Sequence, residues 1–168
     1  MQRLLALDAD LSARLRVAEK PGLLRSLAVF LAHSGDSWFW LVGLLLVWLL
    51  GSPAWKQRAL VLGAGILISA VVVMLIKFTI RRKRPEGEWG GIYRSTDPHS
   101  FPSGHAVRAV MLAVVALGIG PTWFGVLLAV WAPLVCLARV AMGVHYLSDV
   151  LAGMLLGLLL GGLTLLIF

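Results

Sequence analysis

The 168 residues of this chain are enough for one domain, and 60% of them are hydrophobic, with a mean hydropathy of +0.91. Since soluble domains are about 45–50% apolar, this composition excludes an ordinary soluble protein and indicates an integral membrane protein. The formal net charge is +7, but the basic residues flank apolar runs and form no groove interleaved with aromatic residues. We therefore expect membrane lipids, and no nucleic acid, as partners.

The first 34 residues are predicted to form two interfacial amphipathic helices. Within 2–19, apolar residues recur at intervals of three and four, so they line one face of a helix while charged residues lie off it. This face consists of Leu4, Leu7, Leu11, Leu15 and Ala18. Residues 21–33 are apolar, but as a helix they reach only about 20 Å, short of a hydrocarbon core of about 30 Å. We therefore expect a second interfacial or half-inserted helix there.

Five longer apolar runs follow, and each is predicted to cross the membrane as a helix. They cover roughly 36–51, 56–79, 104–119, 122–141 and 146–168. The predicted fold is an all-α membrane helix bundle with about five transmembrane helices, in which residues 1–168 form a single domain. The long connection 80–103 is polar and rich in arginine, glycine and proline, and a long loop in a compact domain is often functional.

The last apolar run carries three glycines at intervals of four residues, Gly153, Gly157 and Gly161. Small residues at this spacing lie on one helix face and allow a second helix to approach closely. We favour a partner helix from the same chain, with a homodimer through this face as the alternative.

Polar and ionisable residues stand at the ends of these runs, where charge at membrane depth is costly and therefore points to function. In a five-span topology all of these residues lie at the same membrane face. The spans follow from hydropathy alone, so this convergence supports a common site independently. These residues are Lys77, Arg84, Ser103, Gly104, His105, Arg139, His145 and Asp149.

Three of these residues have the chemistry of acid–base and nucleophilic catalysis. His145 and Asp149 are four positions apart, so on a helix they share a face. A carboxylate there can accept the Nδ1–H of the imidazole and leave Nε2 with its lone pair, as a nucleophile or a base. His105 is then available to protonate a leaving oxygen.

The other five residues have the character of a phosphate-binding site. Ser103 and Gly104 stand at the predicted start of a helix, where free N–H groups and the helix dipole bind anions. Lys77, Arg84 and Arg139 add three cations, which suit a phosphoryl group that spreads its charge over three oxygens. Together these residues predict a phosphate cradle.

Three segments carry these residues: KFTIRRKRP from Lys77 to Pro85, PSGH from Pro102 to His105, and RVAMGVHYLSD from Arg139 to Asp149. In this order they resemble the three-part signature of the type 2 phosphatidic acid phosphatase superfamily. That superfamily includes integral-membrane lipid phosphatases and vanadium haloperoxidases. The five apolar runs favour a lipid phosphatase.

The resemblance implies that His145 attacks phosphorus and becomes a phosphohistidine, that Asp149 orients it, and that His105 protonates the leaving alkoxide. It also implies that the five residues of the cradle hold the phosphate oxygens and that no metal ion or other cofactor takes part. The chain departs from the family at Ala138, where a serine is frequent. It also carries interfacial helices where many bacterial relatives have an additional N-terminal span.

The distribution of basic residues indicates how the protein is oriented in the membrane. Thirteen of the fifteen lysines and arginines flank the predicted active-site face, and two, Lys56 and Arg58, flank the other. The positive-inside rule then predicts a cytoplasmic site in the inner or plasma membrane. The expected substrate is a lipid phosphate made on that leaflet: phosphatidylglycerol phosphate, phosphatidic acid or a polyprenyl-linked sugar phosphate such as decaprenylphosphoryl-phosphoribose. The alternatives are an undecaprenyl pyrophosphate phosphatase with an outward-facing site and a non-enzymatic scaffold that binds lipid phosphates.

Other polar residues have less specific interpretations. Arg108 lies one turn beyond His105 and contacts either a second phosphate or sugar, or the membrane interface. The basic run 81–83 is predicted to face lipid headgroups. His33 and His99 are predicted to be exposed loop or interface residues.

Overall fold

The structure, a computed structural model, describes residues 2–94 and 97–168. The regular elements in these ranges are helices, connected mostly by short turns and by one long segment. They are α1 (Gln2–Arg14), α2 (Leu23–Ser34), α3 (Ser37–Leu50), α4 (Pro53–Ile80), α5 (Glu88–Arg94), α6 (Gly104–Ile119), α7 (Thr122–Ala141) and α8 (Leu147–Ile167). The predicted all-α fold is confirmed.

Within the described residues, α4, α7 and α8 are each long and apolar enough to cross a membrane. Helices α2 and α3 meet the same criterion as a pair bent by 54°. Each of the five predicted runs is a helix, but α6 has only 16 residues and at about 24 Å is shorter than a hydrocarbon core. By length and composition the chain thus has three spans, or four with the bent pair, and it is a multi-pass membrane protein.

The first helix of the N-terminal segment is shorter than predicted. Helix α1 ends at Arg14 rather than at residue 19, and Ala18, which follows it, is buried. Helix α2 is followed, after a short break at Gly35 and Asp36, by α3, and the two helices meet at a bend of 54°. The break leaves a polar corner at the level of the active-site face.

Helix α6 is the centre of the bundle, since α4, α7 and α8 pack around it. Its buried side chains are small or medium-sized and occupy nearly every side of the helix. They are Ala106, Val107, Ala109, Val110, Met111, Leu112, Ala113, Val115 and Ala116. The start of α6, where Ser103 and Gly104 lie, is therefore held inside the protein rather than in the headgroup region.

The glycine face of α8 packs against α6. A Cβ atom added at Gly153 would lie 2.7 Å from the carbonyl oxygen of Ser103, and one added at Gly157 would lie 2.6 Å from that of Val107. Gly161 meets the side chain of Val114 in the same way. The partner helix therefore belongs to the same chain, and a homodimer through this face would require α6 to be displaced.

Replacing Gly157 by alanine should lower the melting temperature of the purified protein in detergent. The added methyl group has no room against α6, and overpacking of this kind costs about 1–3 kcal/mol. Gly162 lies five residues further along α8, and a Cβ there would meet nothing within 4 Å. Gly162→Ala should therefore melt no lower than the wild type. Equal melting temperatures for the two variants would contradict the observed contact.

Candidate active site

The predicted residues meet at one end of the bundle, around a cavity of about 210 Å³. The last turn of α4, the start of α6 and the turn between α7 and α8 form its walls. Lys77, His105 and His145 line it, and Gly104 borders it at the first residue of α6. The structure thus brings together residues that are separated by whole membrane helices.

His145 lies in the turn between α7 and α8 and is 1% exposed. Its Nε2 is 3.2 Å from Nη1 of Arg84. Because a guanidinium only donates hydrogen bonds, Nε2 carries the lone pair in this contact. Burial, together with the charges of Arg139, Arg84 and Lys77, lowers the pKa of His145 well below its ordinary value. The imidazole is therefore neutral at physiological pH, as a nucleophile must be.

The prediction that His145 and Asp149 share a helix face is wrong, because α8 begins at Leu147 and His145 lies in the preceding turn; the two side chains also do not hydrogen-bond to each other. Oδ2 of Asp149 is 3.7 Å from Nδ1 of His145, which is longer than a hydrogen bond, and Nδ1 has no partner among the described residues. The carboxylate instead accepts Nη1–H of Arg82 at 2.7 Å and the N–H of Tyr146 at 2.9 Å. The prediction that Arg82 faces lipid headgroups is therefore wrong, because a buried carboxylate draws it inward.

The phosphate cradle is buried. Lys77, Arg84 and Arg139 are 1–3% exposed, so none of them reaches out to the membrane interface. Ser103 is fully buried, and its Oγ has no hydrogen-bond partner within the described ranges. A buried hydroxyl without a partner is unfavourable, and this one belongs to the residue before Gly104, which borders the cavity. The structure thus supports the predicted arrangement, while the catalytic and binding roles of its residues remain predictions.

Sequence reasoning missed Asp97, whose carboxylate lies in the cradle. Its Oδ2 accepts Nη2–H of Arg84 at 2.7 Å and also bonds to Nζ of Lys77. Burial raises the pKa of Asp97, but the hydrogen bond from Lys77 and the charges of Lys77 and Arg84 lower it below its ordinary value. An ionised carboxylate therefore holds a position suited to a phosphate. The sequence feature that could have indicated this role is an acidic residue in the polar loop, eight positions before His105.

His105 has a carboxylate partner that the sequence analysis also missed. Its Nε2 is 2.8 Å from Oδ1 of Asp36, and Oδ2 of Asp36 is 3.1 Å from Nδ1 of His33. Arg108 lines the cavity and donates from Nη1 to the carbonyl of Gly35. The break between α2 and α3 therefore fixes both polar side chains of the first turns of α6. His33 is exposed, as predicted.

The prediction for His99 has a structural outcome. His99 is half-buried, with its ring against Phe78 and its carbonyl accepting a hydrogen bond from Lys77 at 3.0 Å. It is therefore tied to the site and not a freely exposed loop residue. Across residues 2–94 and 97–168, no three His, Cys, Asp or Glu side chains cluster as ligands for a metal ion.

The comparison with known families agrees with this geometry. The family model of the PAP2 superfamily matches residues 58–168, which is more than half of the chain. The chain belongs to the PAP2 superfamily. This confirms the family indicated by the three-part signature, and with it the prediction of a phosphatase. The match begins within α4, so α1, α2 and α3 lie outside it.

Individual PAP2 proteins resemble the chain over most of its length. It is 34% identical to the decaprenylphosphoryl-5-phosphoribose phosphatase of Mycobacterium tuberculosis (strain H37Rv) over 152 residues, 88% of this chain and 82% of the relative. It is 33% identical to the undecaprenyl-diphosphatase of Sulfolobus acidocaldarius over 144 residues, 80% of this chain and 66% of the relative.

Solved structures of PAP2 proteins share the fold. The PAP2-type phosphatidylglycerolphosphate phosphatase of Bacillus subtilis superposes with a TM-score of 0.78 at 25% identity, over 98% of this chain and 85% of that one. Aquifex aeolicus LpxE superposes with a TM-score of 0.71 at 23% identity, over 91% and 93%. The membrane helix bundle is therefore the PAP2 architecture.

Replacing Asp97 by asparagine should strengthen inhibition of the enzyme by inorganic phosphate or vanadate. The carboxylate competes with an external anion for Lys77 and Arg84, and its loss should lower the inhibition constant by about tenfold, or ~1.4 kcal/mol. Glu86 is an exposed acid of the same loop, so Glu86→Gln is the matched control and should change nothing. An unchanged inhibition constant in Asp97→Asn would show that Asp97 does not occupy the phosphate position.

Proposed function

We propose that the protein is a metal-independent lipid-phosphate phosphatase that forms a phosphohistidine on His145. The observation that carries this proposal is the neutral, buried imidazole of His145, with Nε2 beside Arg84 in a cavity that Lys77 also lines. Cations next to a neutral nucleophile attract a phosphate dianion without protonating the nucleophile. We further propose that the residues 1–168 act as one domain.

The reaction proceeds in two steps. The phosphoryl group displaces the carboxylate of Asp97 and is held by the cradle, which consists of Lys77, Arg84, Ser103, Gly104 and Arg139. Nε2 of His145 attacks phosphorus while the bond to the lipid oxygen breaks, and His105 gives that oxygen a proton. A water molecule then attacks the phosphohistidine, His105 accepts its proton, and inorganic phosphate and neutral His145 are formed.

Asp149 stabilises the charge that His145 acquires. When Nε2 bonds to phosphorus, the imidazole becomes cationic and its Nδ1–H needs an acceptor. The carboxylate of Asp149 is the nearest charged acceptor described, and a movement of less than 1 Å would bring the 3.7 Å separation into hydrogen-bond range. The interaction would therefore be stronger in the transition state than in the resting enzyme, which is what lowers a barrier.

The favoured substrate is a polyprenyl-linked sugar phosphate. The support is the 34% identity to a decaprenylphosphoryl-5-phosphoribose phosphatase, across 82% of that relative. Phosphatidylglycerol phosphate and phosphatidic acid are further candidates, since the chain shares its fold with a phosphatidylglycerolphosphate phosphatase. A second candidate function is hydrolysis of undecaprenyl pyrophosphate, favoured by the 33% identity to an undecaprenyl-diphosphatase.

We propose that the site faces the cytoplasm from the cell membrane. The end of the bundle that carries His145 has thirteen of the fifteen lysines and arginines by sequence position, whereas Lys56 and Arg58 lie in the first turns of α4 at the other end. Arg58 donates to the carbonyl of Ile119 there, so it is bound to the end of α6. An undecaprenyl pyrophosphate phosphatase would instead have its site outside.

The purified protein in detergent with a chelator should release inorganic phosphate from at least one of four lipids. The panel is phosphatidic acid, phosphatidylglycerol phosphate, undecaprenyl pyrophosphate and decaprenylphosphoryl-5-phosphoribose, assayed by phosphate colorimetry. His145→Ala removes the nucleophile and should abolish release, while Cys136→Ala, a buried apolar position on α7, should retain it. Release that survives in His145→Ala would refute the phosphohistidine. No release from any lipid would favour the non-enzymatic scaffold.

Single-cysteine variants should reveal the orientation. In a Cys136→Ala background, Ser52→Cys lies between α3 and α4 and Lys83→Cys lies at the active-site end, and both positions are exposed. In intact cells an impermeant maleimide should label residue 52 and reach residue 83 only after permeabilisation. The reverse pattern would place the site outside and favour the undecaprenyl pyrophosphate activity.

A further inference from the structure

Helix α1 is attached to the active site by its polar side. Leu4 and Leu7 of its apolar stripe are exposed, whereas Ser12, which lies beside the stripe, is buried. Oγ of Ser12 accepts the N–H of Leu147 at 2.8 Å, and Oδ1 of Asp8 accepts the N–H of Ser148 at 3.0 Å. These are the first N–H groups of α8, which have no acceptor within their own helix. α1 therefore caps the helix that carries Asp149.

The second carboxylate oxygen of Asp8, Oδ2, connects α1 with residues that contact the catalytic site. Oδ2 accepts Nη2–H of Arg82 at 2.6 Å and the hydroxyl of Ser148 at 2.5 Å. Nη1 of the same guanidinium donates to Oδ1 of Asp149 and to Oγ of Ser148, each at 2.7 Å. The guanidinium also lies 4.0 Å from the ring centre of Tyr146. Arg82 thus bridges a carboxylate of α1 and the carboxylate beside His145.

Electrostatics makes this bridge important for the position of Asp149. Asp149 is fully buried, and an unbalanced buried carboxylate is strongly unfavourable, so its ion pair with Arg82 determines where it lies. Arg82 is in turn held by Asp8, by Oγ of Ser148 and by the ring of Tyr146, and Asp8 is the charged partner among them. Burial raises the pKa of Asp8, but hydrogen bonds from Ser148 and Arg82 lower it below its ordinary value, so Asp8 is ionised when it holds Arg82.

We propose that Asp8 and Arg82 are positioning residues, which hold the carboxylate of Asp149 next to His145 so that it can accept Nδ1–H when Nε2 attacks phosphorus. The proposal rests on the phosphohistidine mechanism above. Asp8 lies outside residues 58–168, the part that the PAP2 family model matches, so this role belongs to the N-terminal segment of this chain. Helix α1 thereby contributes to the geometry of the active site.

If α1 had a purely structural role, substitutions in it would change stability but not kcat specifically at Asp8. Three variants distinguish this structural role from the proposed positioning role. Ser12→Ala removes one cap of α8 and does not touch Arg82. Asp10 is an exposed acid two residues from Asp8 that pairs with Arg14 on the surface of α1, so Asp10→Asn makes the same chemical change away from the site. Asp8→Asn removes the charge that faces Arg82.

The experiment measures kcat and KM of the purified full-length variants in detergent, with the panel lipid that the wild type hydrolyses fastest. Assays run well below the melting temperature of each variant. Asp8→Asn should lower kcat about tenfold, which corresponds to ~1.4 kcal/mol, and leave KM within about twofold. Ser12→Ala and Asp10→Asn should keep kcat within about twofold of the wild type, whatever they do to the melting temperature.

The coupling between the two residues is tested in the same assay. Arg82→Gln should also lower kcat, and adding Asp8→Asn to it should cause no further loss, because Asp8 acts through Arg82. Arg82→Lys leaves both caps of α8 intact, so it carries the test if Asp8→Asn does not fold, and its kcat should fall as well.

Three results would overturn the proposal. They are a kcat for Asp8→Asn equal to that of Asp10→Asn, losses in Asp8→Asn and Arg82→Gln that multiply independently, and a wild-type kcat for Arg82→Lys. A wild type that hydrolyses none of the lipids would instead refute the proposed function, and this inference would fall with it. The two failures are therefore distinguishable.

Discussion

Burial of three cations around one neutral histidine is the constraint on which the rest of the site depends. Lys77, Arg84 and Arg139 keep their charges almost out of contact with water, and this is unfavourable unless anions lie close to them. In the resting structure Asp97 supplies one such anion. A substrate phosphate has the same sign of charge and more oxygens, so it can replace that carboxylate. Burial, together with the charges of these cations, lowers the pKa of His145 and keeps it unprotonated and able to attack.

Helix packing puts this charge cluster where it is. The glycines of α8 let α6 approach so closely that the N–H of Ser103 donates to the carbonyl of Asp149 at 3.0 Å. The phosphate-binding end of α6 and the carboxylate of α8 are thus joined through the backbone. Helix α1 adds a second connection through Asp8 and Arg82, and the break between α2 and α3 adds a third, through Asp36 and His105.

The sequence alone determined the fold class and predicted which residues come together at one end of the bundle. Hydropathy is a property of consecutive residues, so the helix boundaries of α3, α4, α6, α7 and α8 followed from it within a few residues. In a five-span topology the second span ends at the membrane face where the third and fifth spans begin. Lys77, His105 and His145 were therefore expected to lie at one face. The three-part signature was sufficient to identify the PAP2 superfamily.

Only the tertiary structure decided which charges are paired. Arg82 bonds to Asp8, 74 positions away, and His105 bonds to Asp36, 69 positions away, and no local pattern connects such residues. It also decided that Asp97 enters the cradle and that α2 continues into α3 through a bend. The physical reason is that helix formation and membrane insertion depend on neighbouring residues. The partner of a buried charge depends instead on which helix ends the packed bundle brings together.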